Sequence, residues 1–216
     1  MSSKKDKSNN LDKYFMSIAM NLAKERIGLT GLNPSVGCVI VKNNKIISFG
    51  QTGFKGRPHA ETVAINNCKV NELRGSSIYI TMEPCTHYGK TPPCTNQIIK
   101  SKIKRVIYSS NDIDNRTSNK AYSLLKSKKI NVSKGLLKSE SKKFYTNYFQ
   151  HKKNKKPHVA AKLACSSDFF ISSKNKFITN HHSRDVSHIL RYNFDSILIS
   201  SKTANADNSK LSCRIN

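Results

Sequence analysis

The chain has no tryptophan, and acidic residues are scarce: 13 Asp and Glu stand against 38 Lys and Arg in 216 residues, a formal charge of +25. Nine glycines and six prolines are too few for a collagenous or low-complexity protein. Six cysteines over this length are too sparse for a secreted disulfide scaffold. No run approaches the ~18 apolar residues that a membrane-spanning helix needs. The start, MSSKKDKSNN, lacks the apolar core of a secretory signal. The expectation is a soluble cytoplasmic protein with reduced cysteines and no membrane partner. With 37% hydrophobic residues the chain is lean, yet too apolar for wholesale disorder. Its length allows one full domain and part of a second, at about 100–200 residues per domain.

The charge excludes less than it suggests. Only eight of the basic residues are Arg, and the basic residues are spread from Lys4 to Lys210. Dedicated nucleic-acid binders cluster Arg with interleaved aromatics, and no such cluster appears. A solvated Lys-rich surface is the plainer reading, and nucleic-acid binding is carried only as an alternative.

Apolar periodicity lays out the rest. Residues 1–10 are expected as an irregular tail. Phe15, Ile18, Ala19, Leu22 and Ala23 recur at helical spacing between Tyr14 and Ile27. Val36–Val41 reads as a buried strand, turned at Asn43-Asn44 into a second strand over Lys45–Phe49. Helices follow over Glu61–Asn67, Thr95–Ser101, Ser118–Lys128 and Ser139–Phe149, alternating with strands at Ser77–Thr81, Arg105–Ser109 and Ile130–Ser133. The alternation predicts a layered α/β sandwich over 11–150. The run His151–Lys156 before Pro157 reads as a linker over 151–157. Beyond it, strands at Val159–Ala164 and Ser196–Ser200 and a helix at Ser183–Tyr192 begin a second α/β unit over 158–216.

Three segments carry chemistry: Asn33-Pro-Ser-Val-Gly37, Pro58-His-Ala-Glu61, and Glu83-Pro-Cys through Pro93-Cys94. His59, Cys85 and Cys94 offer one imidazole and two thiolates. That set suits Zn²⁺ and leaves the fourth tetrahedral position open, the mark of a catalytic zinc site. His59 and Cys94 each open an expected helix, where unpaired amides and the positive dipole end favour a thiolate. Glu61, two residues beyond His59, is placed to move a proton beside the metal without ligating it. The deaminase signature H-x-E followed by P-C-x-x-C is met in its first half and in Pro84-Cys85. It departs afterwards, because eight residues separate Cys85 from Cys94. Either half alone is common by chance; their conjunction, with a strand before Glu83, is not. Cys38, Cys68, Cys165 and Cys213 read as small hydrophobes, and His181-His182 as a polar helix start.

At these residues the chain resembles the bifunctional riboflavin biosynthesis deaminase/reductase family, RibD, over about residues 12–216. The long cysteine gap, Glu83 through Lys90 to Pro92-Pro93-Cys94, fits that family. The resemblance implies a three-layer cytidine-deaminase-like sandwich with a mixed central sheet. Behind it comes an incomplete dihydrofolate-reductase-like unit. It further implies hydrolysis of the 2-amino group of a phosphorylated diaminopyrimidine riboside, with Zn²⁺ on His59, Cys85 and Cys94 and Glu61 as proton shuttle. Asn33, His87 and Lys90 would contact that substrate. Asp114 stands where the family has an Asn near the substrate, and a carboxylate there would repel phosphate.

In the second unit the resemblance implies Ala164, Phe177, Thr203 and Asp207 on an NADPH cofactor and Asn175, Arg191, Leu211 and Arg214 on the reductase substrate. Departures accumulate: Phe169 stands where a Gly is typical, Phe177 for a Trp and Asn175 for a Ser. The remainder of that domain is not in the sequence, so reductase activity is expected to be missing unless the unit is completed. Half a nucleotide fold leaves strand edges unpaired. The cover would be a second copy of the chain or a separately encoded remainder. Two alternatives stay open: a deaminase acting on a base in RNA, and a non-catalytic basic binding protein with a residual metal fold.

Overall fold

The computed structural model describes residues 2–171 and 177–214. Two compact units divide the chain, 1–158 and 159–216.

The first unit opens with helix α1 (Ser2–Lys24). The stretch expected as a tail continues the helix: no Gly or Pro interrupts Ser2–Asn10, so the backbone ladder of the packed part runs on. Strands β1 (Gly37–Lys42) and β2 (Lys45–Gln51) form a hairpin, with Asn43 and Asn44 both at positive φ in its two-residue turn. Helices α2 (Ala60–Asn66) and α3 (Val70–Leu73) lead to β3 (Ser77–Met82). Then come α4 (Cys94–Lys100), β4 (Arg105–Ser110), α5 (Lys120–Ser127) and β5 (Asn131–Lys134). The segment expected as one helix to Phe149 breaks at Tyr145 into α6 (Lys138–Phe144) and α7 (Thr146–Asn154). Helix α7 thus takes up half of the expected linker and ends at Asn154, where Lys155 turns left-handed at φ +57°.

The sheet order is β2-β1-β3-β4-β5. β1 runs antiparallel to β2 and β3, while β3, β4 and β5 are parallel. Period-two alternation sends Cys38, Ile40, Ile78, Ile80, Val106 and Tyr108 to a core with Ala60, Ala64, Ile98 and Leu125 of the helices. Val39, Val41, Tyr79 and Ile107 point the other way, onto Phe15, Met16 and Ala19 of α1. Helices on both faces of one mixed sheet make a three-layer α/β sandwich, the architecture that the resemblance implies. Gly37 permits the close approach of α1: a Cβ there would lie 1.9 Å from the Ala19 carbonyl oxygen. Tyr145 is buried and ties three segments together. Its hydroxyl donates to the Ser35 carbonyl at 2.9 Å and meets Thr81 Oγ1 at 2.6 Å, and that oxygen accepts the Gly37 N–H at 3.1 Å.

The second unit holds helices α8 (His181–Tyr192) and α9 (Ser201–Asp207). The runs Val159–Ala164 and Ser196–Ser200, expected as strands, make no ladder among the described residues. A strand exists only where a neighbour receives its backbone groups, and no neighbour is present here. Val159, Leu163, Phe169, Phe170 and Leu198 accordingly lie exposed. Phe169 holds φ +65°, a conformation that glycine adopts without strain. Among the described residues no helix is long and apolar enough to cross a membrane.

Candidate metal and deaminase site

Parallel strands β3 and β4 end side by side, and their carboxyl ends carry the site. Glu83 extends the ladder by one bond, its N–H reaching the Ser110 carbonyl at 2.8 Å. Two residues on, Cys85 accepts on its sulfur the N–H of Cys94, the first residue of α4, at 3.3 Å. The Thr95 hydroxyl and N–H both bind the Cys85 carbonyl. These bonds close the long loop between the cysteines, so the wide spacing costs no precision. His59 caps the start of α2 in extended conformation. Its Nδ1 lies 3.3 Å from Cys94 Sγ and 3.6 Å from Cys85 Sγ.

All three ligand atoms fall within 4.8 Å of one another. Tetrahedral zinc, with bonds near 2.0 Å to nitrogen and 2.3 Å to sulfur, sets its ligand atoms roughly 3.5 Å apart. The donor set and its spacing fit the metal. The hydrogen bond from the Cys94 thiol and the His59 contact pull Cys85 well down, while the same bond to Cys85 and burial push Cys94 up. A metal binds cysteine as thiolate, so a cation entering here would displace the protons the pair still holds.

Glu61 sits in the first turn of α2, 4% exposed. Burial raises its carboxyl, with the His59 charge opposing. Beside it opens a cavity of about 420 Å³, a size that suits a small ligand. Its wall includes His59, Glu61 and Cys85, together with Asn33, His87 and Lys90. Gly56, at φ +86°, makes room for Asn33: a Cβ there would sit 2.1 Å from Asn33 Nδ2. His87 Nδ1 pairs with Thr117 Oγ1 at 3.1 Å, and the Thr86 hydroxyl donates to the Arg116 carbonyl at 3.1 Å, joining the cysteine loop to the turn after β4.

That turn, the loop before α2 and helix α7 add residues the sequence did not single out. Asp112, Arg116, Arg57, Tyr148 and Lys152 line the cavity, and so does Asp114. Asp114 is not a bare charge. Arg116 donates through Nε at 2.9 Å and Nη2 at 2.6 Å, holding the Asp114 carboxyl below the usual range. Glu83 anchors the turn from beneath. Its Oε2 accepts the N–H groups of Asp112 (3.3 Å) and Asn119 (3.0 Å), and its Oε1 that of Ala121 (3.1 Å). Burial raises the Glu83 carboxyl and these three bonds oppose it. A carboxylate one step past a buried parallel strand was the available signal for this role.

The described residues that the resemblance assigns to a reductase lie in the second unit. Phe177, Thr203, Asp207 and Arg214 are exposed, and Ala164, Arg191 and Leu211 half-buried. Ser200 Oγ caps α9 by accepting the Thr203 N–H at 3.1 Å, and Arg191 Nη1 donates to the Ser212 carbonyl at 3.4 Å. Asn175 lies outside the described residues. His181 starts α8 and pairs with Asp185 at 3.1 Å.

Residues 9–110 match the family model described as the cytidine and deoxycytidylate deaminase zinc-binding region. The diaminohydroxyphosphoribosylamino-pyrimidine deaminase of Buchnera aphidicola subsp. Schizaphis graminum is 44% identical over 139 residues, which are 64% of this chain and 94% of that protein. The riboflavin biosynthesis protein RibD of Aquifex aeolicus is 36% identical over 207 residues, 94% of this chain and 58% of that one. A solved deaminase/reductase from Thermotoga maritima superposes with a TM-score of 0.90 at 35% identity, covering 96% of this chain and 60% of that one. The chain therefore spans under two thirds of the two-activity proteins it matches.

Proposed function

This chain belongs to the RibD family of riboflavin-biosynthesis deaminases, and from that premise we propose that its first unit hydrolytically deaminates 2,5-diamino-6-ribosylamino-4(3H)-pyrimidinone 5′-phosphate. The observation that carries the proposal is the convergence of His59, Cys85 and Cys94 beside a buried Glu61 on one cavity wall. The three side chains would hold Zn²⁺, which when bound supplies the Lewis acidity that makes water nucleophilic near neutral pH.

The protein's own part is proton management and orientation. Glu61 takes the proton of the attacking water and returns it to the departing nitrogen; as the ring C–O bond forms, the C–N bond breaks and ammonia leaves. Burial of Glu61 keeps that proton from bulk water. Asn33, His87 and Lys90 would hold the pyrimidine riboside, and the Thr117 contact fixes the His87 ring.

The test is ammonia release from the diaminopyrimidine nucleotide by the zinc-loaded chain. Glu61→Gln is expected to retain one equivalent of zinc while kcat falls by roughly 10²–10⁴. Full activity in that variant, or none in the zinc-loaded parent, would end the proposal. Turnover of tRNA but not of the free nucleotide would move it to the RNA-base alternative.

A further inference from the structure

Four cations line the cavity, and they are not equivalent. Arg116 is taken up by the Asp114 carboxylate. Lys152, on α7, places its Nζ 5.7 Å from the centroid of the Tyr148 ring. Arg57 and Lys90 have no carboxylate partner among the described residues. They stand on two loops that touch. Arg57 Nη1 donates to Thr91 Oγ1 at 2.6 Å. A Cβ added to Gly89 would come within 3.5 Å of Arg57 Nη2, so the guanidinium lies against the turn that carries Lys90.

Two cations without counter-charge, one of them a planar fork held by a neighbouring hydroxyl, make an acceptor for a phosphate dianion. The 112–116 turn cannot compete for it, since it presents Asp112 and Asp114 to the same cavity. We propose that Arg57 is a specificity-determining residue: pinned by Thr91 beside Lys90, it receives the substrate's 5′-phosphate and selects the phosphorylated pyrimidine riboside over the unphosphorylated one. This rests on the deaminase reading above. Arg57 takes no part in the bond-breaking step; it sets which end of the substrate faces away from Glu61.

The test compares ammonia release from the nucleotide and from its dephosphorylated riboside, using zinc-loaded protein. Arg57→Gln is expected to raise KM for the nucleotide about ten- to hundredfold, with kcat nearly unchanged and the riboside's kcat/KM unmoved. Arg57→Lys should restore part of the loss. Inorganic phosphate should inhibit the parent competitively and Arg57→Gln more weakly. Equal losses on both compounds, or none on the nucleotide, overturn the proposal while leaving the deaminase reading intact. Failure of the parent on both compounds overturns the two together. If Arg57→Gln does not load zinc, Thr91→Val carries the test: it frees the guanidinium and should raise KM about threefold for the nucleotide alone. Unchanged discrimination in Thr91→Val would then overturn the proposal.

Discussion

Replacing Glu83 by glutamine changes one atom and tests how the cavity-lining turn after β4 is held. The carboxylate is 4% exposed, so water cannot take over its work. Its two oxygens accept three backbone N–H groups, from Asp112, Asn119 and Ala121. With its carbonyl at the Oε2 position, glutamine keeps the first two bonds. Its NH₂ then faces the Ala121 N–H, donor against donor. An unpaired buried N–H costs roughly 1–3 kcal/mol, and the two surviving bonds lose their charge assistance. Against this, the neutral side chain escapes part of the desolvation cost that burial imposes on the carboxylate. A net loss of about 1–3 kcal/mol follows. The assay is urea unfolding of the zinc-loaded chain, paired with amide exchange at Asp112, Asn119 and Ala121. Protection should fall most at Ala121, and KM should rise as Asp112 and Asp114 become mobile. A variant with parental stability and undiminished protection at Ala121 would refute the reasoning, because the turn would then be held by something else.

Two further outcomes follow from ion pairs at opposite ends of the sheet. Asp12 feels burial, which raises its carboxyl, but the bonds from Arg105 at 2.8 and 2.5 Å and from Tyr79 at 2.6 Å outweigh it and the net shift is downward. A lowered folded-state value stabilises the fold above the ordinary carboxyl range and is lost as pH falls through the lowered value. Unfolding midpoints of the parent should therefore drop as pH falls below the ordinary carboxyl value of about 4, and Asp12→Asn should be weaker at neutral pH with a shallower acid slope. An unaltered slope would remove the pair from the stability account. In the cavity, Asp114→Asn should release Arg116 and lower KM for the nucleotide about two- to fivefold at low salt, the gain fading at high salt because Arg116 is exposed. A higher KM would mean that the carboxylate accepts a hydrogen bond from the substrate.

The sheet was legible because its strands alternate. Val39 and Val41 against Cys38 and Ile40 already announce two buried faces, and the structure puts them in two separate cores. Strand order was not legible, since nothing local in Ser77–Met82 says that it lies between β1 and β4. The early start of α1 escaped for a related reason: Ser2–Asn10 has no apolar stripe, and its helicity is borrowed from the packed turns that follow. Val159–Ala164 shows the converse failure. Its β-rich composition states a preference, but a preference becomes a strand only when a neighbour receives its hydrogen bonds.

The site divides along the same line. His59, Cys85 and Cys94 could be picked out because metal chemistry restricts the residue type and each ligand announces itself locally. Arg57 could not, and Glu83 offered only its place one step past a strand, because what matters in them is the partner and not the type. A glutamate beside Pro-Cys is ordinary until three amides from a turn 29 to 38 residues away converge on it. An arginine before Pro-His is ordinary until Thr91, 34 residues on, pins it beside Lys90. In both cases the partner sits on a loop that the long cysteine gap or the β4–α5 turn brings round. The first of these loops is also where this chain departs from the short-gap deaminase signature. On the proposed reading, the reaction centre is written in residue types, whereas the selection of substrate is written in loop length and in long-range pairing. Chains sharing the His59, Glu61, Cys85 and Cys94 pattern should therefore share the chemistry and differ in what they accept wherever these two loops differ.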